Sequence, residues 1–204
     1  MNSDDTRLAM LAVCDVVLRS EELLTEADMA IGDGDHGVGM SRGFGAAKQE
    51  LNDKCFDSIS DCLKCVGFAL ISKSGGASGA IFGTFFMAAS KESEGETKIT
   101  HQLFQRMLDA GFNAVTARGG AALGDKTMLD ALGPARSAAS DTKSFVEALK
   151  AASEAAAAGA ESTKEMIAKH GKAKALGERA LGHPDPGAIT FSIIMKALAD
   201  FSRD

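Results

Sequence analysis

ITHQLFQRMLDAGFNAVTA, residues 99–117, places Phe104, Met107, Leu108, Gly111 and Val115 at intervals of three and four. That spacing gathers them on one face of an α-helix and leaves the polar residues for the other. The same rhythm runs through Met10, Val13, Val17 and Leu24 near the start, and through Phe191, Ile194, Met195 and Leu198 near the end. Alternating Val/Ile/Thr runs are nearly absent, while Ala, Leu, Met, Glu and Lys fill the segments between glycine clusters, which is helical composition. The pattern predicts helices near 4–26, 38–51, 57–73, 77–91, 99–117, 125–138, 141–158 and 186–203, with a shorter one near 160–170. Segments of this length on short connections predict an all-α fold, a closed barrel or bundle of about eight antiparallel helices. Neither a repeat nor a linker interrupts it, so residues 1–204 read as one domain. Asp185 before Pro186 has the form of an N-cap followed by proline at the first helical position. Asp125 and Asp141 are expected to cap two further helices, and the alanine-rich stretch 148–160 to pack closely against a neighbour.

The 204 residues are 45% hydrophobic and 25% charged, a profile that can bury a core. A formal charge of -6 argues against broad contact with nucleic acid or anionic membrane, so any phosphate site must be built locally from metal ions and backbone amides. No apolar run approaches the roughly 20 residues of a membrane span, and the acidic N-terminus is unlike an export signal. A cytoplasmic location follows, with Cys14, Cys55, Cys62 and Cys65 as free thiols. Cys62 and Cys65 lie one turn apart in the apolar stretch 59–71 and read as packed thiols, since no second pair has zinc spacing.

Two segments break the helical pattern. The first, DMAIGDGDHGVG (28–39), holds Asp28, Asp33 and Asp35 within eight residues. Three carboxylates so close repel one another unless cations share them, and hard oxygen donors suit magnesium or calcium better than zinc. Counted from Asp33, the EF-hand template fails: its glycine position is Val38 and its final glutamate position is Phe44. Magnesium held by a few carboxylates usually shares phosphate oxygens, and a helix starting directly after the loop would present amides to the same anion. His36 could donate to a phosphate oxygen or orient an aspartate from behind. The second segment, HGKAKALGERALGHPD (170–185), carries His170, Lys172, Lys174, Arg179 and His183 on a long polar loop. Ser74–Gly79 and Gly119–Thr127 add glycine clusters at helix starts; in the latter, Asp125 stands between glycine and lysine, so a Walker loop is rejected.

IGDGDHGVGMSRGF (31–44), SGGASGAIFGTFF (74–86), GDKTMLDAL (124–132) and GERALGHPDPGA (177–188) resemble, in order and spacing, the ADP-binding L subunit of bacterial dihydroxyacetone kinase and the equivalent domain of ATP-dependent dihydroxyacetone kinases. The resemblance implies a barrel of eight antiparallel helices with a nucleotide, ADP or ATP, at one end. It implies that Asp28, Asp33 and Asp35 hold two magnesium ions. His36, Gly37, Val38, Gly39, Ala77 and Ser78 would line the phosphates, Gly119 and Met128 would border adenine and ribose, and Asp185, Pro186 and Gly187 would close over the nucleotide. Where the family commonly has arginine before GER, this chain has Lys172, one mobile charge in place of a planar fork, and Ala175 replaces a frequent tyrosine. The implied partners are a K subunit that holds dihydroxyacetone covalently on its own histidine and, in phosphotransferase-dependent systems, an M subunit that rephosphorylates bound ADP.

On that reading Asp28, Asp33 and Asp35 neutralise charge through magnesium, Lys172 stabilises from the lid with Arg179 as a lesser candidate, and no catalytic base is needed. Two alternatives stay open at this point: a nucleotide-sensing regulatory subunit without turnover, and a kinase subunit serving another short-chain ketose.

Overall fold

The computed structural model describes residues 1–202. Among the described residues nine α-helices follow in chain order: α1 (Ser3–Arg19), α2 (Glu21–Ile31), α3 (His36–Asp53), α4 (Ile59–Lys73), α5 (Gly76–Glu92), α6 (His101–Gly119), α7 (Leu129–Ser140), α8 (Phe145–Ser162) and α9 (Pro186–Phe201). Two 3₁₀ stretches, Thr163–Glu165 and Lys172–Ala180, lie between α8 and α9.

The helices start where the side chains can satisfy the first amides. Asn2 and Asp5 form a reciprocal capping box at α1, and Ser58, Thr100 and Ser144 cap α4, α6 and α8. The expectation for Asp185 holds: its carboxylate accepts from the Ala188 N–H at 2.7 Å, with Pro186 opening α9. Four expectations need correction. The segment 4–26 is broken at Ser20, whose hydroxyl donates to the Val16 carbonyl at 2.9 Å and so competes with the helical ladder. Asp125 does not cap α7, which begins only at Leu129, because its carboxylate accepts the Ala122 N–H in the preceding loop. Asp141 ends α7 and leaves the capping of α8 to Ser144; the short helix near 160–170 shrinks to a single 3₁₀ turn after α8.

Contacts between neighbours close a ring: α1 on α3, α3 on α4, then each helix on the next through α9, and α9 back on α1. Connections that are short except between α8 and α9 make successive members antiparallel, so the all-α barrel of eight has α2 as a ninth helix lying against α3 and α9. Its interior is aromatic on one side, where Phe85 meets Phe86 and Phe191 edge to face at 5.3 and 5.5 Å. The other side is fine-grained: buried Ala131, Ala135 and Ala139 of α7 belong with Ala148, Ala152 and Ala156 of α8, and such small side chains let two helix axes approach closely. Cys14 and Cys62 are buried in this core, their thiols pushed up to about 12 by burial, as packed rather than reactive sulfur.

The alternation of directions sorts the ends. One rim gathers the N-termini of α3, α5, α7 and α9; at the other, the Met1 carbonyl accepts from the Ile99 N–H at 2.7 Å.

Candidate functional site

Asp28 sits in the last turn of α2, and Asp33 and Asp35 on the loop into α3. One carboxylate oxygen from each lies within 4.8 Å of the others. Gly34, with φ of 77°, makes the reversal that turns its two aspartate neighbours to one side; a side chain there would be strained. Each pair of charges at this separation repels by about 1 kcal/mol even in bulk water, and more beside a low-dielectric wall. Asp28 is relieved by accepting the His36 backbone N–H at 3.1 Å. Asp33 and Asp35 are relieved by Lys172, whose ammonium bonds both, the latter at 3.2 Å. The hydrogen bond from Lys172 holds the Asp33 carboxyl below its usual range, and Asp33 in turn raises the lysine. A cluster of oxygen donors that draws a cation from across the rim has the charge and hardness a magnesium ion requires.

The cluster forms one wall of a cavity of about 230 Å³; three helix N-termini form another, His36 of α3, Gly76, Ala77 and Ser78 of α5, and Pro186 and Gly187 of α9, and the loop 170–173 lines it as well. Partial positive charge at each terminus makes this an anion pocket beside a cation pocket. A second cavity of about 260 Å³ adjoins it, lined by Ile81, Phe82, Val115, Gly119, Ala121, Thr127, Met128 and Leu129. Ala77, Ser78, His170, Gly171 and Gly187 belong to both, so a polar compartment opens through a shared seam into an apolar one.

Of the residues expected at the site, the acidic triad, His36, Ala77, Ser78, Lys172, Pro186 and Gly187 meet in the first cavity, and Gly119 and Met128 in the second. Gly37, Val38 and Gly39 line neither. Gly37 lies so close to α2 that a Cβ would stand 2.2 Å from Thr25 Oγ1, so its glycine serves helix contact, and Val38 faces solvent. Asp185 stands behind the wall as the α9 cap. Arg179 is exposed and lines neither cavity.

His36 is held on both ring nitrogens, Nδ1 by Ser78 Oγ at 3.0 Å and Nε2 by Thr190 Oγ1 at 2.8 Å. Thr190 gives its hydroxyl proton to the Pro186 carbonyl, so Nε2–H donates to Thr190 and Nδ1 accepts from Ser78. Burial pushes this imidazole down to about 4, so it is neutral. His36 therefore bolts α3, α5 and α9 together, and its backbone rather than its ring reaches the acidic cluster.

Sequence reasoning named His170 as one of several loop cations and Asp125 as a helix cap, but passed over Asp130 and the structural part played by Lys126 behind the seam. Asp130 accepts the Gly124 and Thr127 N–H groups at 2.6 and 2.8 Å. Lys126, buried and at φ 61°, donates to the Thr163 and His183 carbonyls at 2.6 and 2.5 Å, tying the loop before α7 to both ends of the lid segment. Asp125 receives His170 Nε2 at 3.1 Å and Lys169 Nζ at 2.7 Å, and its carboxyl is held down at about 2, chiefly by Lys169. The signal was the run GDKTMLD, which carries more charge than a loop needs.

The DAK2 domain profile matches residues 30–200. The chain is 40% identical over 189 residues to the Escherichia coli (strain K12) PEP-dependent dihydroxyacetone kinase, ADP-binding subunit DhaL, covering 91% of this chain and 90% of that protein. It is 37% identical over 186 residues to the L-erythrulose 1-kinase of Mycolicibacterium smegmatis, of which it spans 32%. Among solved structures, the dihydroxyacetone kinase from C. freundii in complex with AMP-PNP and Mg2+ superposes with a TM-score of 0.75 at 28% identity, over 96% of this chain and 33% of that one. With a family profile spanning most of its length and a relative matched nearly end to end, the chain belongs to the DAK2 domain family.

Proposed function

We propose that residues 1–204 act as one nucleotide-binding unit of a dihydroxyacetone-type kinase, holding Mg-ADP or Mg-ATP at the rim and passing the phosphoryl group to a small keto-sugar on a separate K subunit. The observation that carries this is the joined pair of cavities: a carboxylate and helix-terminus compartment for phosphates, opening into an apolar slot of the right character for a purine. The names of the E. coli relative and the C. freundii complex support the same ligand and metal.

Asp28, Asp33 and Asp35 would hold two magnesium ions, and Ala77 and Ser78 offer first-turn amides to the phosphates. Gly37, Val38 and Gly39 line neither cavity, and the Gly39 N–H is given to the Asp35 carbonyl at 2.9 Å, so this turn would act on the phosphates through the partial positive charge of the α3 N-terminus. Gly119 and Met128 flank the base, and Asp185, Pro186 and Gly187 complete the wall. When bound, the ions supply charge neutralisation over the transferred oxygens. Lys172 then leaves Asp33 and Asp35 and offers its ammonium to the phosphate instead. The lid would keep water out, and no side chain of this chain would need to take a proton: the one that the acceptor hydroxyl loses as its oxygen bonds phosphorus would pass to a group on the partner that carries it. A phosphotransferase M subunit as phosphoryl donor and a cytoplasmic setting belong to the same proposal; no helix among the described residues is long and apolar enough to cross a membrane. The similarity to an L-erythrulose kinase supports a second acceptor, a four-carbon ketose, since the acceptor is chosen by the partner.

The test is calorimetry of Mg-ADP binding to the wild type and Asp33→Ala. Loss of one carboxylate should weaken binding by at least tenfold while helix content is unchanged. Equal affinity in the two proteins would remove the acidic cluster from the nucleotide site, and turnover with a cognate K subunit separates a kinase subunit from a sensor.

A further inference from the structure

A nucleotide that spans both cavities must lay its sugar across the seam between them. Two side chains with polar atoms stand there, Ser78 and His170. The Ser78 hydroxyl proton is committed to His36. His170 is different: one ring nitrogen, Nε2, is held at 3.1 Å by Asp125, and Nδ1 has no partner among the described residues. Asp125 is itself fixed, with 7% of its surface exposed, by the Ala122 N–H at 2.8 Å, and its carbonyl accepts the Lys169 N–H at 3.1 Å. A carboxylate on Nε2 keeps the proton on that nitrogen and leaves Nδ1 as an acceptor, the match for a hydroxyl donor.

Resting on the nucleotide reading above, we infer that His170 is a nucleotide-contacting residue that accepts a hydrogen bond from a ribose hydroxyl through Nδ1, and that Asp125 is the positioning residue that fixes its tautomer and orientation. The pair lets the protein tell a ribonucleotide from its deoxy counterparts, a distinction that neither the apolar slot nor the acidic cluster can make. Since Asp125 lies in the loop that borders the base and His170 at the root of the lid, the contact also couples sugar binding to the position of Lys172 two residues on.

The experiment measures Mg-ADP, 2′-deoxy-ADP and 3′-deoxy-ADP affinities by calorimetry in the wild type, His170→Ala, His170→Phe and Asp125→Asn, with circular dichroism to check helix content. The wild type should bind one deoxynucleotide about five- to tenfold more weakly than ADP, the worth of one hydrogen bond. In His170→Ala that penalty should fall towards onefold, and in His170→Phe likewise, with ring volume retained should the alanine variant unfold. Asp125→Asn should shrink the penalty while still binding ADP. A penalty that is the same in wild type and both His170 variants overturns the inference and leaves the nucleotide site standing. An unchanged penalty in Asp125→Asn reduces Asp125 to loop construction. Failure of the wild type to bind ADP at all would sink the site itself.

Discussion

Asp185 illustrates how much a single carboxyl can be asked to do at this rim. It caps α9 through the Ala188 N–H, yet burial raises it to about 7, reinforced by Asp130 and Asp28 and opposed by Lys126. An acid whose folded pKa exceeds its unfolded one is held protonated by the fold. The stability this gives is complete below about pH 4 and drains away as pH rises through about 7. Asparagine caps as well and has no charge to lose, so Asp185→Asn should be insensitive to this change. In ligand-free protein, the wild type should lose about 1–2 kcal/mol relative to Asp185→Asn between pH 5 and pH 8, a figure reduced for residual solvent contact. Thermal unfolding at a series of pH values reads it; parallel curves would mean the carboxylate is comfortably ionised. At this scale the acidic triad was legible because its members are neighbours in sequence, and repulsion between near neighbours is visible without a fold. Neither the contact between Asp125 and His170, 45 residues apart, nor that between His36 and Thr190, 154 apart, could be read from the sequence, since each exists only after the ring has closed.

Among the elements, hydrophobic period found the helices, and errors arose where a side chain overrode it. Ser20 cuts the first helix with its own hydroxyl, and Asp125 and Asp130 spend their carboxylates on loop amides, which delays α7 by four residues relative to expectation. The polar stretch 170–185 was expected to be a loop throughout; its middle, Lys172–Ala180, is instead wound into 3₁₀ turns that break at Gly177. What anchors it is Lys126, only 2% exposed, whose ammonium joins the Thr163 and His183 carbonyls. Lys126→Met keeps the stem and deletes the donor, stranding the His183 carbonyl and leaving that of Thr163 with the Met166 N–H alone, and should cost about 1–3 kcal/mol in urea denaturation. Hydrogen exchange should quicken from 163 to 185 and stay slow in α4. A loss below about 0.5 kcal/mol would show that water satisfies those carbonyls, and the lid would then need another anchor.

For the molecule as a whole, closure of the ring gives a rigid floor and walls, while the rim is built from helix ends and loops. Ligand that binds only the folded chain should therefore stabilise it by mass action, about 2.7 kcal/mol at a hundredfold excess over the dissociation constant. Mg-ADP should raise the melting temperature, and chelation with EDTA should abolish the rise. Protection from hydrogen exchange should be confined to the segments around Asp28–Val38, Ala77, Met128 and Lys172. Stabilisation that survives EDTA would separate nucleotide binding from the carboxylates.

The direction of α9 has a practical corollary. Its 16 residues lead from the rim to the floor, a rise of about 24 Å, and the first residue of the chain is paired with Ile99 at that same floor. A fluorophore or affinity tag carried on a side chain near Asn2 or Ser202 would thus hang beneath the vessel, far from its mouth, reporting on the chemistry above without touching it.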